Sequence, residues 1–295
     1  MSRTRVLINR DGGAASADLE LAAHVKSALG AAGIDGDVHM LDGSAIAKQC
    51  REAVEASEPL VVVGGGDGTL SSAAAELSGS GTRLGILPLG TLNHFARDLG
   101  IPTDLEAAAL VIGAGREQRV DVAEMNGRVF INNSAVGLYP LLVRDREVQQ
   151  RRLGRGKRLA MTVAAIRTLA RFHHQRLALT VNDEASRVDT PLLFVGNNDY
   201  RLELPFAGQR ATLADGRLCV LVLRSKSRAG FVAAVVRALV GRSREDDIVR
   251  VDDVGSLRVD TARGHLTVSL DGEVERVSPP LRYSIRKGAL RVVTP

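Results

Sequence analysis

Tryptophan is absent from this sequence, and aromatic residues of all kinds make up only 3%. A core without large rings has to rest on Val, Leu, Ile and Ala. The basic stretches also lack interleaved aromatics on which nucleotide bases could stack, so nucleic acid is not an expected partner. Cysteine is scarce: Cys50 and Cys219 lie far apart in apolar or helical settings. That excludes a disulfide framework or a cysteine metal cluster and predicts buried free thiols in a reducing compartment. No uncharged apolar run approaches the roughly 18 residues that a membrane-spanning helix needs. Met1-Ser2-Arg3-Thr4-Arg5 leads into a short strand without the apolar core of a secretory signal. The expectation is a cytoplasmic protein, peripheral at most to the inner face of the membrane.

What is present is ordinary in amount and uneven in placement. The 295 residues suffice for one large domain or two ordinary ones, and 45% hydrophobic residues predict a sizeable core. Net charge is +5, and the segment from Arg144 to Arg158, with seven basic and two acidic residues, accounts for all of it. Such a patch either attracts phosphates, an anionic membrane surface among them, or is an ordinary solvated face. After it, Leu159, Val163, Ile166 and Ala170 share one helical face. This amphipathic segment either packs on the core or presses on a membrane surface.

The first ~120 residues alternate strand and helix, which predicts a parallel sheet with helices on both faces. Strands are read at Arg5 to Asn9, Asp37 to Met40, Leu60 to Val63 and Arg83 to Leu87. Helices are read from a Ser16 cap to Gly33, from Ser44 to Ser57, and from Leu70 to Leu77. Past residue 122 the pattern becomes antiparallel. Val120 to Met125 and Val129 to Ser134 flank the hairpin signal Asn126-Gly127. Further strands are read at 177–181, 192–195, 218–223, 257–259, 266–270 and 281–285, with helical insertions at 149–172 and 228–240. The division this change of pattern predicts is an α/β domain over 1–122 followed by an antiparallel β domain.

Gly64-Gly65-Gly66-Asp67-Gly68-Thr69 joins the Leu60 strand to the next helix. Glycines at a helix start let backbone N–H groups approach an anion closely; the plain alternative is a tight strand-to-helix turn. No Gly-Lys-Ser/Thr follows, so this is not a P-loop. A dinucleotide fingerprint fails as well, because Thr69 stands where its third glycine belongs. The Asp67 carboxylate would repel a bare polyphosphate and argues for a metal-bound nucleoside triphosphate. Asn9, this loop and the Pro88-Leu89-Gly90-Thr91 turn all fall at carboxyl ends of parallel strands, where such sheets bind ligands.

Four segments in register carry a family likeness: Gly64 to Thr69, Leu87-Pro88-Leu89-Gly90-Thr91-Leu92-Asn93-His94-Phe95-Ala96-Arg97-Asp98-Leu99-Gly100-Ile101-Pro102, Asp215-Gly216, and Leu270-Asp271-Gly272-Glu273. With them the chain resembles the bacterial diacylglycerol kinase and lipid kinase family, related to sphingosine kinases. The resemblance implies a phosphofructokinase- or NAD-kinase-like α/β domain over 1–122, to which the last strand at 287–295 returns, a C-terminal β-sandwich over 123–286, a cleft active site, and transfer of the ATP γ-phosphate to a membrane lipid hydroxyl with Mg²⁺. It implies that Asn9, Gly12, Gly64, Gly65, Gly66, Asp67, Gly68, Thr69, Gly90, Thr91 and Glu273 lie on the nucleotide side. It makes Asp271 the general base, with Asp67 and Asp121 linked to metal and catalysis. A structural Mg²⁺ would lie at Asp215 with carbonyls of Thr212 and Arg217. Homodimers are common in the resemblance.

Two departures stand out. His94 replaces the usual Asp, and Asn9-Arg10-Asp11-Gly12-Gly13 replaces Asn-Pro-x-x-Gly. The readings that compete with a lipid kinase are an NAD kinase-like enzyme and a non-catalytic lipid- or nucleotide-binding relative.

Overall fold

The computed structural model describes residues 3–10, 20–140, 174–201, 208–224, 227–239 and 247–295. Gly12, the Ser16 cap, the basic segment from Arg144 to Arg158 and the insertion at 149–172 lie outside the described residues.

Four strands, β1 (Thr4–Asn9), β2 (Gly36–Leu41), β3 (Leu60–Gly65) and β4 (Arg83–Pro88), form a parallel sheet in the order β2-β1-β3-β4. Their central residues, such as Val6, Leu7, Ile8, Val61, Val62 and Val63, are fully buried. This is the near-continuous apolar reading of a sheet covered on both faces. The chain steps from β1 to β2 in one direction and from β2 to β3 in the other. With right-handed crossovers, α1 (Leu21–Ala31) then lies on one face, and α2 (Gly43–Glu55) and α3 (Asp67–Leu77) on the other. Two helices follow β4, α4 (His94–Asp98) and α5 (Leu105–Ala114), and α5 packs on α1.

The remaining strands are β5 (Glu117–Met125), β6 (Arg128–Phe130), β7 (Asn133–Gly137), β8 (Gln175–Val181), β9 (Glu184–Thr190), β10 (Leu192–Asn197), β11 (Leu218–Leu223), β12 (Ile248–Val254), β13 (Ser256–Asp260), β14 (Leu266–Leu270), β15 (Glu273–Val277) and β16 (Leu281–Val293). A six-stranded antiparallel sheet, β12-β11-β10-β7-β14-β15, faces an antiparallel layer made by β16, β13, β8 and β9. Leu193, Val195, Val220 and Val268 from the first layer share a core with Leu177, Leu179, Leu257, Val259 and Tyr283 from the second. The protein is thus an α/β domain joined to an antiparallel β-sandwich, as the sequence pattern predicts.

One strand belongs to both layers of organisation. The first half of β16 pairs with β13. Its far end pairs in parallel with β4, Val292 opposite Leu84, while β5 runs antiparallel along nearly its whole length. The register slips between Arg286 and Leu290, and Gly288 sits there with φ +56°. The helix of the second insertion, α6, is observed at Arg228–Leu239. Among the described residues, no helix is long and apolar enough to cross a membrane.

Two expected boundaries move. The helix after the glycine loop begins at Asp67, not Leu70, so Asp67, Gly68 and Thr69 form its first turn. The strand expected at Val129 to Ser134 is two strands in different sheets, broken at Ile131 and Asn132. The break frees the amides of that stretch to point elsewhere.

Candidate active site

Gly66 is the N-cap of α3 and lies against Gly90 of the turn after β4. A Cβ on Gly90 would come within 2.4 Å of the Gly66 Cα, so both turns need glycine for close approach. At Gly64 a Cβ would meet Ile8 at 2.5 Å, and at Gly65 it would meet Thr69 at 2.7 Å. Those two glycines answer to packing. Gly68 alone of the loop faces open space. Asn9 donates from Nδ2 to the Thr69 hydroxyl at 2.8 Å, tying the end of β1 to the first turn of α3. Thr91 is exposed, and Asn93 (φ +50°) accepts from the Gly90 amide at 3.0 Å, which fixes the turn.

The Asp67 carboxylate accepts from the amides of His94 at 3.2 Å and Phe95 at 3.1 Å, at the start of α4. These bonds and the helix dipole offset its charge. They give Asp67 a structural reason that the sequence did not show. The His94 side chain is exposed, and only its backbone serves this contact.

Asp271 occupies the tight turn between β14 and β15, with φ +45° followed by Gly272 at +91°. The hairpin geometry and a site role coincide here. Its Oδ1 accepts from the amides of Asn132 and Asn133, both at 2.9 Å. Its Oδ2 accepts from the Ile131 amide at 2.8 Å and the Ser71 hydroxyl at 2.5 Å. Burial pushes the carboxyl above its ordinary pKa, and the bonds from Ser71, Ile131, Asn132 and Asn133 oppose that rise. A cavity of about 340 Å³ opens beside it, lined among others by Gly68, Ser71, Ser72, Arg128, Asp271 and the exposed Glu273.

The amide nest is pinned from behind. The Ile131 carbonyl accepts from Arg210 at 2.6 Å and from Asn197 Nδ2 at 3.0 Å, and the Asn132 carbonyl accepts from the Asn197 amide at 2.8 Å. These carbonyls belong to the same peptide units whose N–H groups hold Asp271. Arg210 also donates to the Asn132 side chain at 2.9 Å and to Asp98, at the end of α4, at 2.7 Å. Its side chain is wholly buried, stacked over Tyr200 with 5.2 Å to the ring centre. One short helix thus presents its amides to Asp67 at one end and Asp98 to Arg210 at the other. Arg210 and Asn197 escaped the sequence reading. Nothing near them in sequence marks the contact, although Asp98 lies within the family segment.

Asp121 is buried and engaged elsewhere. Its Oδ2 accepts from the Gly216 amide and its Oδ1 from the Gly288 amide, both at 2.7 Å. It fastens the 213–216 loop to the β16 irregularity, and its carbonyl takes the same Asn197 Nδ2 that reaches Ile131. In that loop the Asp215 amide donates to Asn198, the Thr212 hydroxyl accepts from Ala214, and the Arg217 guanidinium pairs with Asp253.

For a resident Mg²⁺, oxygen donors of the right kind are present, one carboxylate with main-chain carbonyls. Their charge balance is wrong. The Lys287 chain lies over Gly216, where an added Cβ would sit 2.6 Å from its Cε, and Arg217 bears electrostatically on Asp215. The fit of a resident divalent cation is poor here, and no step below passes through it.

The structure therefore gathers the predicted residues into neighbouring groups. Asn9, Gly64 to Thr69 and Gly90 lie at the strand ends. Asp271 and Glu273 lie beside the first turns of α3. Asp121, Thr212, Asp215 and Arg217 form a third group, joined to the second through Asn197. Both cysteines are free and buried, and burial pushes their thiols up to about 12 for Cys50 and about 11 for Cys219, so neither is a nucleophile here.

The site is thus a half-buried carboxylate facing a cavity beside a glycine-started helix, in an α/β domain joined to a sandwich. Residues 3–125 match the diacylglycerol kinase catalytic domain, and residues 143–294 match the YegS C-terminal NAD kinase beta sandwich-like domain. The chain belongs to the diacylglycerol kinase and YegS-like lipid kinase family. A protein of Pseudomonas aeruginosa PAO1 named "Probable lipid kinase YegS-like" is 31% identical over 246 residues, covering 83% of this chain and 79% of the relative. The Bacillus subtilis diacylglycerol kinase is 25% identical over 284 residues, covering 95% and 92%. A solved diacylglycerol kinase structure from Bacillus anthracis superposes with TM-score 0.71 at 21% identity, a likeness of fold alone, covering 99% of this chain and 97% of that one. Another structure from that organism reaches 0.77 at 26% identity with the same coverage.

Proposed function

We propose that the protein is an ATP-dependent lipid kinase that transfers the γ-phosphate of ATP to the hydroxyl of a membrane lipid, with diacylglycerol the first candidate. The observation that carries this reading is the Asp271 carboxylate, held by three amides and Ser71 at a cavity beside the first turns of α3. Phosphoryl transfer needs positioning and charge neutralisation more than covalent chemistry. In this reading the first-turn amides of α3, Gly68 and Thr69 hold the phosphates, with Asn9 fixing Thr69. Mg²⁺ entering as part of the ATP substrate would supply neutralisation of the phosphate charge. Asp271 is the base that ends up protonated as the acceptor hydroxyl is deprotonated and the new P–O bond forms.

The test is transfer of labelled γ-phosphate from ATP with Mg²⁺ into mixed micelles of bacterial lipid extract. The wild type is expected to yield a labelled lipid, which chromatography then identifies. Asp271→Asn should lose turnover by about 10²-fold or more while ATP binding is retained; Asp67→Asn serves as a second control. The sandwich family's NAD kinase description keeps a soluble dinucleotide acceptor as the second reading. ATP binding without a labelled lipid, but with labelled dinucleotide, would favour it.

A further inference from the structure

Ser71 and Asp271 line the same cavity side by side, joined by a 2.5 Å hydrogen bond. A carboxylate offers about four hydrogen-bonding sites, and all four are taken here. Three partners are the peptide amides of Ile131, Asn132 and Asn133, and the Ile131 and Asn132 carbonyls, which share the last two of those peptide units, are pinned by Arg210 and Asn197. The fourth is the Ser71 hydroxyl, on a side chain that also lines the cavity. Ser71 lies one turn beyond Asp67 in α3 and lines the cavity with Gly68 and Ser72. Its single proton already points at Asp271, so its lone pairs are what an entering hydroxyl meets. The other charged groups around the cavity are occupied or peripheral: Glu76 binds Arg51, Arg128 pairs with Glu275, and Glu273 is exposed.

We propose that Ser71 is a catalytic residue, a hydroxyl relay that takes the proton of the acceptor alcohol on Oγ and passes its own to Asp271 Oδ2. The proposal rests on the kinase reading above. In the step, the acceptor oxygen forms a bond to the γ-phosphorus as its O–H bond breaks, and the bond from γ-phosphorus to the β,γ-bridging oxygen breaks to release ADP. The acceptor proton becomes the Ser71 proton, and the former Ser71 proton ends on Asp271. No redox change occurs, and Ser71 regains its starting state when Asp271 returns a proton to solvent. The competing arrangement has the acceptor hydroxyl displace Ser71 and contact Asp271 directly.

Single-turnover rates on diacylglycerol micelles separate the two. For Ser71→Ala the relay predicts a loss of about 10²-fold or more, with unchanged ATP affinity. Ser71→Thr, which keeps the hydroxyl, should restore most of the rate. In mixtures of H₂O and D₂O the wild-type rate should curve with deuterium fraction, as two moving protons require, and the Ala variant should give a straight line. A Ser71→Ala rate equal to or above wild type, or a straight line for the wild type, overturns the relay and leaves the kinase reading standing. No phosphorylated lipid from the wild type overturns that reading, and the relay with it.

Discussion

Asp271 carries two opposing influences on one carboxylate. Burial favours its protonated form, while four donors favour the anion, and burial prevails. In the proposed kinase role Asp271 acts in its ionised form, so activity should fall as pH drops through the raised pKa. The acidic limb of kcat is therefore expected above the ordinary Asp range of about 3.9, and Asp271→Glu should move it. A limb at or below the ordinary value would contradict the burial argument. The sign for stability is opposite: a carboxyl raised on folding favours the fold below its unfolded pKa, and this contribution is lost as pH rises through the folded value. The site thus costs some stability at the pH where it works, a pattern expected of a functional carboxylate.

At the scale of elements, the break between β6 and β7 builds the site, and Arg210 holds the break in place. Removing one partner of a buried ion pair leaves the other uncompensated, at a cost of about 3–5 kcal/mol. Arg210→Met should show that loss in urea unfolding. Pairing it with Asp98→Asn should recover part of it, because the stranded carboxylate is then gone. Full additivity would show that the two side chains do not depend on each other.

The βαβ pattern, the glycine turn and the Asn126-Gly127 and Asp271-Gly272 hairpins were legible because local chemistry sets them: apolar runs, N-caps and positive φ. The helix α5 also had local signals that went unread, Asp104 accepting from Ala107 at its start and Gly115 with φ +69° at its end. The β6–β7 break was not legible, since Val129 to Ser134 reads as one strand and the partner that divides it lies about 140 residues on. The charged strand β9 and the half-exposed β12 and β15 lack the apolar alternation by which strands are recognised. The residues of the glycine loop and of the Gly90 turn were readable as a motif. Arg210 and Asn197 were not, because a buried guanidinium or amide is recognised only by what surrounds it.

For the whole molecule, the decisive element is β16. Its Leu290 and Val292 belong to the core of the α/β domain, and its Leu281 and Tyr283 to that of the sandwich. Two cores sharing one strand should melt together. All three tyrosines, at positions 139, 200 and 283, lie outside the α/β domain's first 125 residues, while most of the described helices lie within them. Tyrosine fluorescence and far-ultraviolet circular dichroism therefore watch different halves. Their urea transitions should coincide; two separated midpoints would show that the halves unfold independently.

The same strand bears on birth at the ribosome. Arg291 bonds to Glu117 and to the Gly81 carbonyl, 210 residues upstream. The α/β sheet emerges first and waits, its β4 edge unpaired, until the last strand of this chain is delivered. Translation order and folding order thus run against each other, and the nascent half-sheet is the stage most in need of a chaperone.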